Sequence, residues 1–316
     1  MQLRSSWLSA FAALLTALTL SACGGSSSGS ASSGGGIDSG ASIVLEAGAP
    51  AFLGETSTDG LNWFNFRRQQ AGLPPLNRNP ILDSAARKHS EYQRLNGVIS
   101  HDQQAGLPGF TGASLGDRLR AEPFPFQQSS YAYGEVISAS TNPSGFVAAD
   151  ALVTAIYHRF VILEPVFAQF GAGSSTQPGS YTWFTTNFAA DGLSAGLGRG
   201  QFITWPAASQ TNIPVIFLTD SEIPDPLPGQ NAAGYPVSIH ADITSQVSVQ
   251  QFTLRRPGGA ALATRLLSSA TDADTADSVA AIVPLGVLSP NTVYEAHFIG
   301  TIDGMPVDHR WSFTTR

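Results

Sequence analysis

The sequence predicts an α+β protein: a mixed helix-and-strand block over residues 57–192, then a smaller all-β sandwich over residues 203–316. Two observations carry that reading. Up to about residue 190, apolar residues recur at the three- and four-residue spacing of helices. From about Gln201 onward that period disappears, and short alternating runs are separated by Gly, Pro, Asn and Asp.

The first helix opens at the capping residues Ser57, Thr58 and Asp59, runs through Leu61, Phe64 and Arg68, and ends at Gly72 before Pro74. A second places Pro80 in its first turn, carries Leu82, Ala85, Ala86 and His89 on one stripe, and stops at Gly97. A third runs from about Phe146 to Tyr157, with Val147, Ala151 and Thr154 on one face. Tyr181 to Phe188 alternates aromatic and polar residues and reads as a strand. In the second block, Val237–Ala241, Val247–Leu254, Val279–Val283, Tyr294–Ile299 and Trp311–Thr315 read as strands of an antiparallel sandwich of about 100 residues. Asp303-Gly304 is a hairpin signal between the last two. The Pro-rich stretch 223–228 reads as an extended edge segment.

Residues 1–22 read as an address rather than as part of the fold. Arg4 supplies a positive start, Trp7 to Leu20 is nearly unbroken apolar sequence, and Leu20-Ser21-Ala22 leads into Cys23, the only cysteine of the 316 residues. The run is short for a membrane span, which needs about 20 apolar residues. It resembles a bacterial lipoprotein signal, which implies cleavage before Cys23, lipid attachment (palmitate among the acyl groups) at that residue, and anchorage to the cell envelope. Gly24 in place of an Asp fits outer-membrane sorting in that resemblance. Residues 23–56 then form a flexible tether, Ser and Gly with little else up to about Gly40, too poor in apolar surface to fold. A net charge of −7 and a pI near 5.3 argue against a nucleic-acid partner.

Three residues of the first block carry the chemistry: His101, Glu135 and His158. If they converge, two His and one Glu form a set that zinc accepts, with a position left for water; magnesium is the other divalent cation considered. Without metal, a His/Glu pair can act as a general base and its orienting partner. The only cysteine is taken by the lipid, so a covalent thiol nucleophile is not expected.

The order Leu61-Asn62, Arg67-Arg68, Ala71-Gly72-Leu73-Pro74-Pro75-Leu76, Leu82 with Ala85-Ala86 and His89, Ser100-His101, Gly134-Glu135, Tyr157-His158-Arg159, Leu163-Glu164-Pro165 and Phe170-Gly171-Ala172-Gly173 resembles the bacterial branch of the CAP superfamily. That superfamily comprises cysteine-rich secretory, antigen 5 and pathogenesis-related 1 proteins and is also called the SCP-like extracellular domain. The resemblance covers about 115 residues. It implies an α-β-α sandwich with a cleft lined by a His, Glu, Glu, His set, in which His101, Glu135 and His158 are three members. Val136 stands where the motif has Asn, and the third helix holds no glutamate, so the fourth member is missing or replaced by Asp150. More loosely, Leu288–Tyr294 and Trp311–Thr315 resemble bacterial Ig-like domains, which act as spacers or adhesion modules.

The plainer readings are a turn residue for His101, a rim charge at a strand entry for Glu135, and a helix C-terminal charge for His158. His89 reads as a hydrogen-bonded core or cleft-edge residue. His240 and His297 fall out of phase with the apolar positions of their strands and read as water-facing; His309 has no evident partner. Three functions stay open, so enzymatic activity is undecided. The cleft binds a cell-wall fragment, lipid, small molecule or divalent cation without turnover; or it hydrolyses an envelope or extracellular polymer; or the protein is structural or adhesive with a vestigial cleft.

Overall fold

The computed structural model describes residues 16–22, 43 and 46–316; Cys23 and most of the expected tether lie outside the described residues, as does most of the expected leader. The first block comprises β1 (Thr16–Ala22), α1 (Thr56–Gln70), β2 (Asn77–Arg78), α2 (Pro80–Asn96), α3 (Leu115–Ala121), β3 (Ser130–Ser140), α4 (Gly145–Thr154), α5 (Ile156–Ile162), β4 (Gln169–Thr176) and β5 (Thr182–Asp191). Its strands form one sheet in the order β1-β3-β5-β4-β2. β1 pairs in parallel with β3, and it lies inside the segment expected to be a leader. Removal of residues 1–22 would leave β3 at the sheet edge.

Strand alternation sorts the two faces. Ala132, Val136, Phe170, Ala172, Phe184, Phe188 and Ala190 share a core with α1, α4 and α5. Ala189 packs on the opposite side with Leu82, Ala85, Leu115, Leu119 and Phe124, from α2, α3 and the turn after them. The layers are therefore α-β-α, as expected. The two glycines of the Phe170–Gly173 run explain how α2 lies so close to β4. A Cβ at Gly173 would fall 2.1 Å from Arg87 Cα, and one at Gly171 2.3 Å from the Asp83 nitrogen. Gly173→Ala is accordingly expected to cost about 1–3 kcal/mol by forcing helix and sheet apart, read as a lowered urea midpoint with an unchanged m-value.

Local signals placed α2 well. Asn79 caps it, accepting from the Ile81 amide at 2.8 Å, and Gly97 ends it in the left-handed region at φ 64°. α1 differs at its start: its N-cap is Glu55, without a side-chain cap, and Asp59 instead accepts from the amides of Leu53 and Gly54, each at 2.9 Å. The single third helix is in fact two, α4 and α5, bent by 106° at the extended residue Ala155. Thr154 bonds back to the Asp150 carbonyl at 2.9 Å, which loosens the end of α4. No single helix among the described residues is long and apolar enough to cross a membrane.

The second block contains β6 (Ile203–Trp205), β7 (Phe217–Leu218), β8 (Ala232–Ala233), β9 (Val237–His240), β10 (Val247–Arg255), β11 (Thr264–Ser268), β12 (Val279–Pro284), β13 (Val293–Ile302) and β14 (Met305–Thr314). Its sheets are β10-β13-β14, β11-β12-β9-β6 and the small pair β7-β8. The β13–β14 hairpin turns at Asp303 and Gly304, with φ 54° and 78°, the two positive values that a tight two-residue turn needs. Residues 223–228 form no strand, contrary to the edge-segment reading; their prolines lack the amides a ladder requires.

The two blocks share one apolar core. This overturns the water-facing reading of His240. Val237 and Ile239 are buried on one side of β9, while Ser238 and His240 are buried on the other, where the His240 ring meets Phe160 of α5 edge-on at 5.7 Å. His297 is also mostly covered, 8% exposed, with Nε2 2.7 Å from Asp308 Oδ1. His309 has aromatic neighbours, Phe202 and Trp311, each with ring centroids 5.2 Å away.

Candidate functional site

Two of the three proposed site residues meet. Glu135 lies within β3, not at a strand entry, and its alternation turns it toward the α2/α3 layer; directly opposite on β5 stands Asn187. The amide orientation of Asn187 that satisfies both its ends donates to Glu135 Oε2 at 3.0 Å and accepts from the Ala86 amide at 3.2 Å. His101 comes from the loop after α2. Gly97 reverses the chain there, and the loop is pinned by Trp183 Nε1 on the Val98 carbonyl at 2.9 Å and by His89 Nε2 on the Ser100 carbonyl at 2.8 Å. His101 Nδ1 thereby reaches Glu135 Oε1 at 2.7 Å.

The decisive neighbour is Arg118, which the sequence reading missed. Its Nη2 donates to both Glu135 oxygens, at 2.7 and 2.8 Å, and its Nη1 to the His101 carbonyl at 2.7 Å. α3 delivers it. That helix is set by a capping box in which the Ser114 hydroxyl accepts from the Asp117 amide and Asp117 accepts from the Ser114 amide. The pattern Ser114-x-x-Asp117 with Leu115 and Leu119 was a readable signal for the helix, though not for the role of Arg118.

Burial opposes charge on Glu135, but Arg118, with the histidines beside it, holds the carboxyl well below the usual carboxylate range. An ionised carboxylate only accepts, so Nδ1 of His101 is the donor. His89 is wholly buried, and burial lowers it to about 4, with Arg118 and His101 acting in the same direction and Glu135 against. It is a neutral core histidine, with Gln103 Nε2 2.9 Å from its Nδ1. The linkage sign follows. A depressed carboxyl stabilises the fold fully above its unfolded pKa, near 4.3, and loses that contribution as pH falls through the folded value. The stability gap between wild type and Glu135→Gln is therefore expected to narrow as pH falls from about 5 toward about 2 in urea titrations.

His158 does not join the cluster. It lies in the first turn of α5, not at a helix C-terminus, and α5 packs on the sheet face opposite Glu135. The break at Ala155 moved it there. Its Nδ1 donates to Glu222 Oε1 at 2.9 Å, and Glu222 also accepts from the amides of Ile156, Tyr157 and His158 at 2.7, 2.7 and 3.1 Å. This is a capped helix start built from the second block. Asp150 is not the replacement carboxylate either: it pairs with Arg67 at 2.8 Å and accepts from Trp63 Nε1 at 2.9 Å.

The expected zinc or magnesium set of His101, Glu135 and His158 is thus not assembled. Among the described residues no group of three or more His, Cys, Asp or Glu side chains is placed to hold a metal ion, and a guanidinium occupies both Glu135 oxygens where a metal would bind. The cluster is also tightly closed. Glu135, Arg118, His89, Gln103 and Asn187 are buried, whereas the His101 side chain keeps 14% exposure. Two open clefts, of ≈ 560 and ≈ 630 Å³, lie elsewhere: one runs from Leu193 to Asp303 beside the connecting segment, the other over β10, β13 and β14.

Comparison with known proteins bears on the first block. Curated proteins give no match. Among solved structures, an extracellular protein containing an SCP domain from Bacillus anthracis str. Ames is 27% identical with a TM-score of 0.35, the match covering 43% of this chain and 40% of that one. An outer surface protein from Borrelia burgdorferi is 14% identical with a TM-score of 0.33, covering 41% and 88%. Venom allergen-like protein 4 of Schistosoma mansoni is 12% identical with a TM-score of 0.29, covering 43% and 88%. The family model described as CAP, cysteine-rich secretory protein family, matches residues 61–188. That range holds α1 from Leu61 onward, α2 to α5, the Gly171/Gly173 contact and the His101–Glu135–Arg118 cluster, and it is this part of the chain that is similar to the CAP family.

Proposed function

We propose that this chain is an exported lipoprotein, held to the cell envelope through lipid on Cys23 and a Gly/Ser-rich tether, whose CAP domain binds a ligand through His101 without turnover. The supporting observation is the closure of Glu135. A carboxylate that is wholly buried and held at both oxygens by Arg118 is a fixed anchor for His101, not a group that meets substrate or metal. The ligand contact falls to the imidazole, with cell-wall fragments, lipids and small polar molecules as the ligands to test. Outer-membrane sorting belongs to the same proposal, with Gly24 as its basis. The second block is an Ig-like spacer in this reading.

One observation favours a second reading. The 2.7 Å bond from His101 Nδ1 to an ionised Glu135 is the geometry of a general base with its orienting partner, so hydrolysis of an envelope polymer remains the alternative. Calorimetric titration of wild type and His101→Ala with peptidoglycan fragments and small acyl ligands, followed by product analysis, separates the two. Binding lost in the variant with no product formed by wild type supports binding; product formed only by wild type supports hydrolysis. Zinc and magnesium titrations are expected to give no difference between wild type and a His101→Ala, His158→Ala double variant. Metabolic labelling with palmitate is expected to mark wild type and not Cys23→Ala.

A further inference from the structure

We propose that the seam between the CAP domain and the second block is a proton-controlled latch bridged by the Glu164 carboxyl, closed while Glu164 carries its proton and released when it ionises. Glu164 follows α5 and is 1% exposed. Its Oε1 accepts from the Val166 amide of its own domain at 3.1 Å and from the Ile243 amide of the second block at 3.0 Å. One oxygen thus ties the two together, with a lone pair for each amide.

Among the described residues, none offers an ionised Glu164 a counter-charge at bonding distance. Arg68, the cation beside it on α1, donates to the carbonyls of Pro74, Ile162, Glu164 and Phe167. Arg159 of α5 donates to the carbonyls of Val153, Thr154 and Pro236 and to the Ser238 hydroxyl. From the second block, Asp242 faces Glu164 with a like charge, and its own oxygens hold the amides of Leu197 and Gly198 in the segment that connects the blocks. His240, beside Arg159 and Arg68, is wholly buried and kept neutral by that burial. Burial pushes the Glu164 carboxyl up to about 8, with Asp242 adding to the rise and the two amides and Arg68 opposing it.

The sign works against the closed seam at high pH. Opening to water returns the carboxyl to its ordinary value near 4.3, so an open form loses its proton first. Above about pH 8 both forms differ by no further proton, but between about pH 4.3 and 8 the open form gains up to tenfold in population per pH unit, reaching its plateau near pH 8. Asp242 clamps the connecting segment, so release of Ile243 frees the corner where both blocks and the connector meet.

Hydrogen exchange of the full-length chain in detergent, measured from pH 5 to 9.5 and normalised for intrinsic exchange, tests this. In wild type the protection of the Val166 and Ile243 amides is expected to fall steadily up to about pH 8 and then level, whereas Glu164→Gln, a neutral carboxyl mimic, keeps flat protection throughout. Asp242→Asn removes the facing charge and is expected to reduce the total loss. Flat protection in wild type, or an equal decline in Glu164→Gln, overturns the proposal. Should Glu164→Gln not fold, an unchanged pH profile in Asp242→Asn overturns it as well.

Discussion

Replacing Arg118 with alanine is expected to destabilise the CAP domain by about 3–5 kcal/mol, the cost of leaving a charge buried without its partner. Glu135 is fully buried and its ionised form depends first on Arg118. With the guanidinium gone, the carboxyl must either keep an uncompensated charge or take up a proton, and either route weakens its hold on His101 Nδ1. Two readouts separate the packing cost from the electrostatic one. Arg118→Met, which keeps much of the buried volume, is expected to lose nearly as much stability as alanine. Arg118→Met combined with Glu135→Leu is expected to recover a large part, because removing both charges spares the desolvation that neither alone can offset. A double variant no better than Arg118→Met would show that the pair contributes through shape alone. Ligand binding at His101 is expected to stay low even where stability recovers, since the imidazole has lost its anchor.

Local chemistry was readable in the sequence, and contacts formed across long separations were not. α2 was legible because a proline, a helical stripe and a terminal glycine all act within one segment. The β13–β14 hairpin was legible because Asp303 and Gly304 alone fix the turn. The Phe170–Gly173 run stood out as a motif, yet its reason is α2 lying against it. Half the site followed the same division. The pairing of His101 with Glu135 came from residue type and order, but Arg118 sits on a seven-residue helix with too few positions for a period to show. Asp150 looked like a replacement carboxylate only because Arg67 and Trp63, its actual partners, lie more than eighty residues away in sequence. His240 failed for a related reason: strand alternation marks the side away from its own core, and cannot say that another domain covers that side.

Glu222→Ala is expected to produce the other large effect, about 3–5 kcal/mol, because one buried carboxylate serves three backbone amides and the His158 ring. Each donor left unsatisfied in the interior costs about 1–3 kcal/mol, and an ordinary lost N-cap costs about 0.5–2 kcal/mol; local rearrangement keeps the total below the simple sum. The location matters as much as the size. α5 starts abruptly after a 106° bend, so its first amides have no preceding turn to bond, and a negative charge at that end also meets the positive pole of the helix. Because Glu222 comes from the second block, the fold of the CAP domain at α5 depends on that block being docked. Wild type is expected to unfold in a single transition by calorimetry, whereas Glu222→Ala is expected to show two, the CAP domain melting apart from the sandwich. Glu222→Gln separates charge from hydrogen bonding: its single carbonyl oxygen can serve part of the amide set, so it should fall between wild type and alanine. A Glu222→Ala protein that still melts in one transition at an undiminished temperature would mean that α5 is held by its apolar face alone, and that the position of His158 owes nothing to the second block.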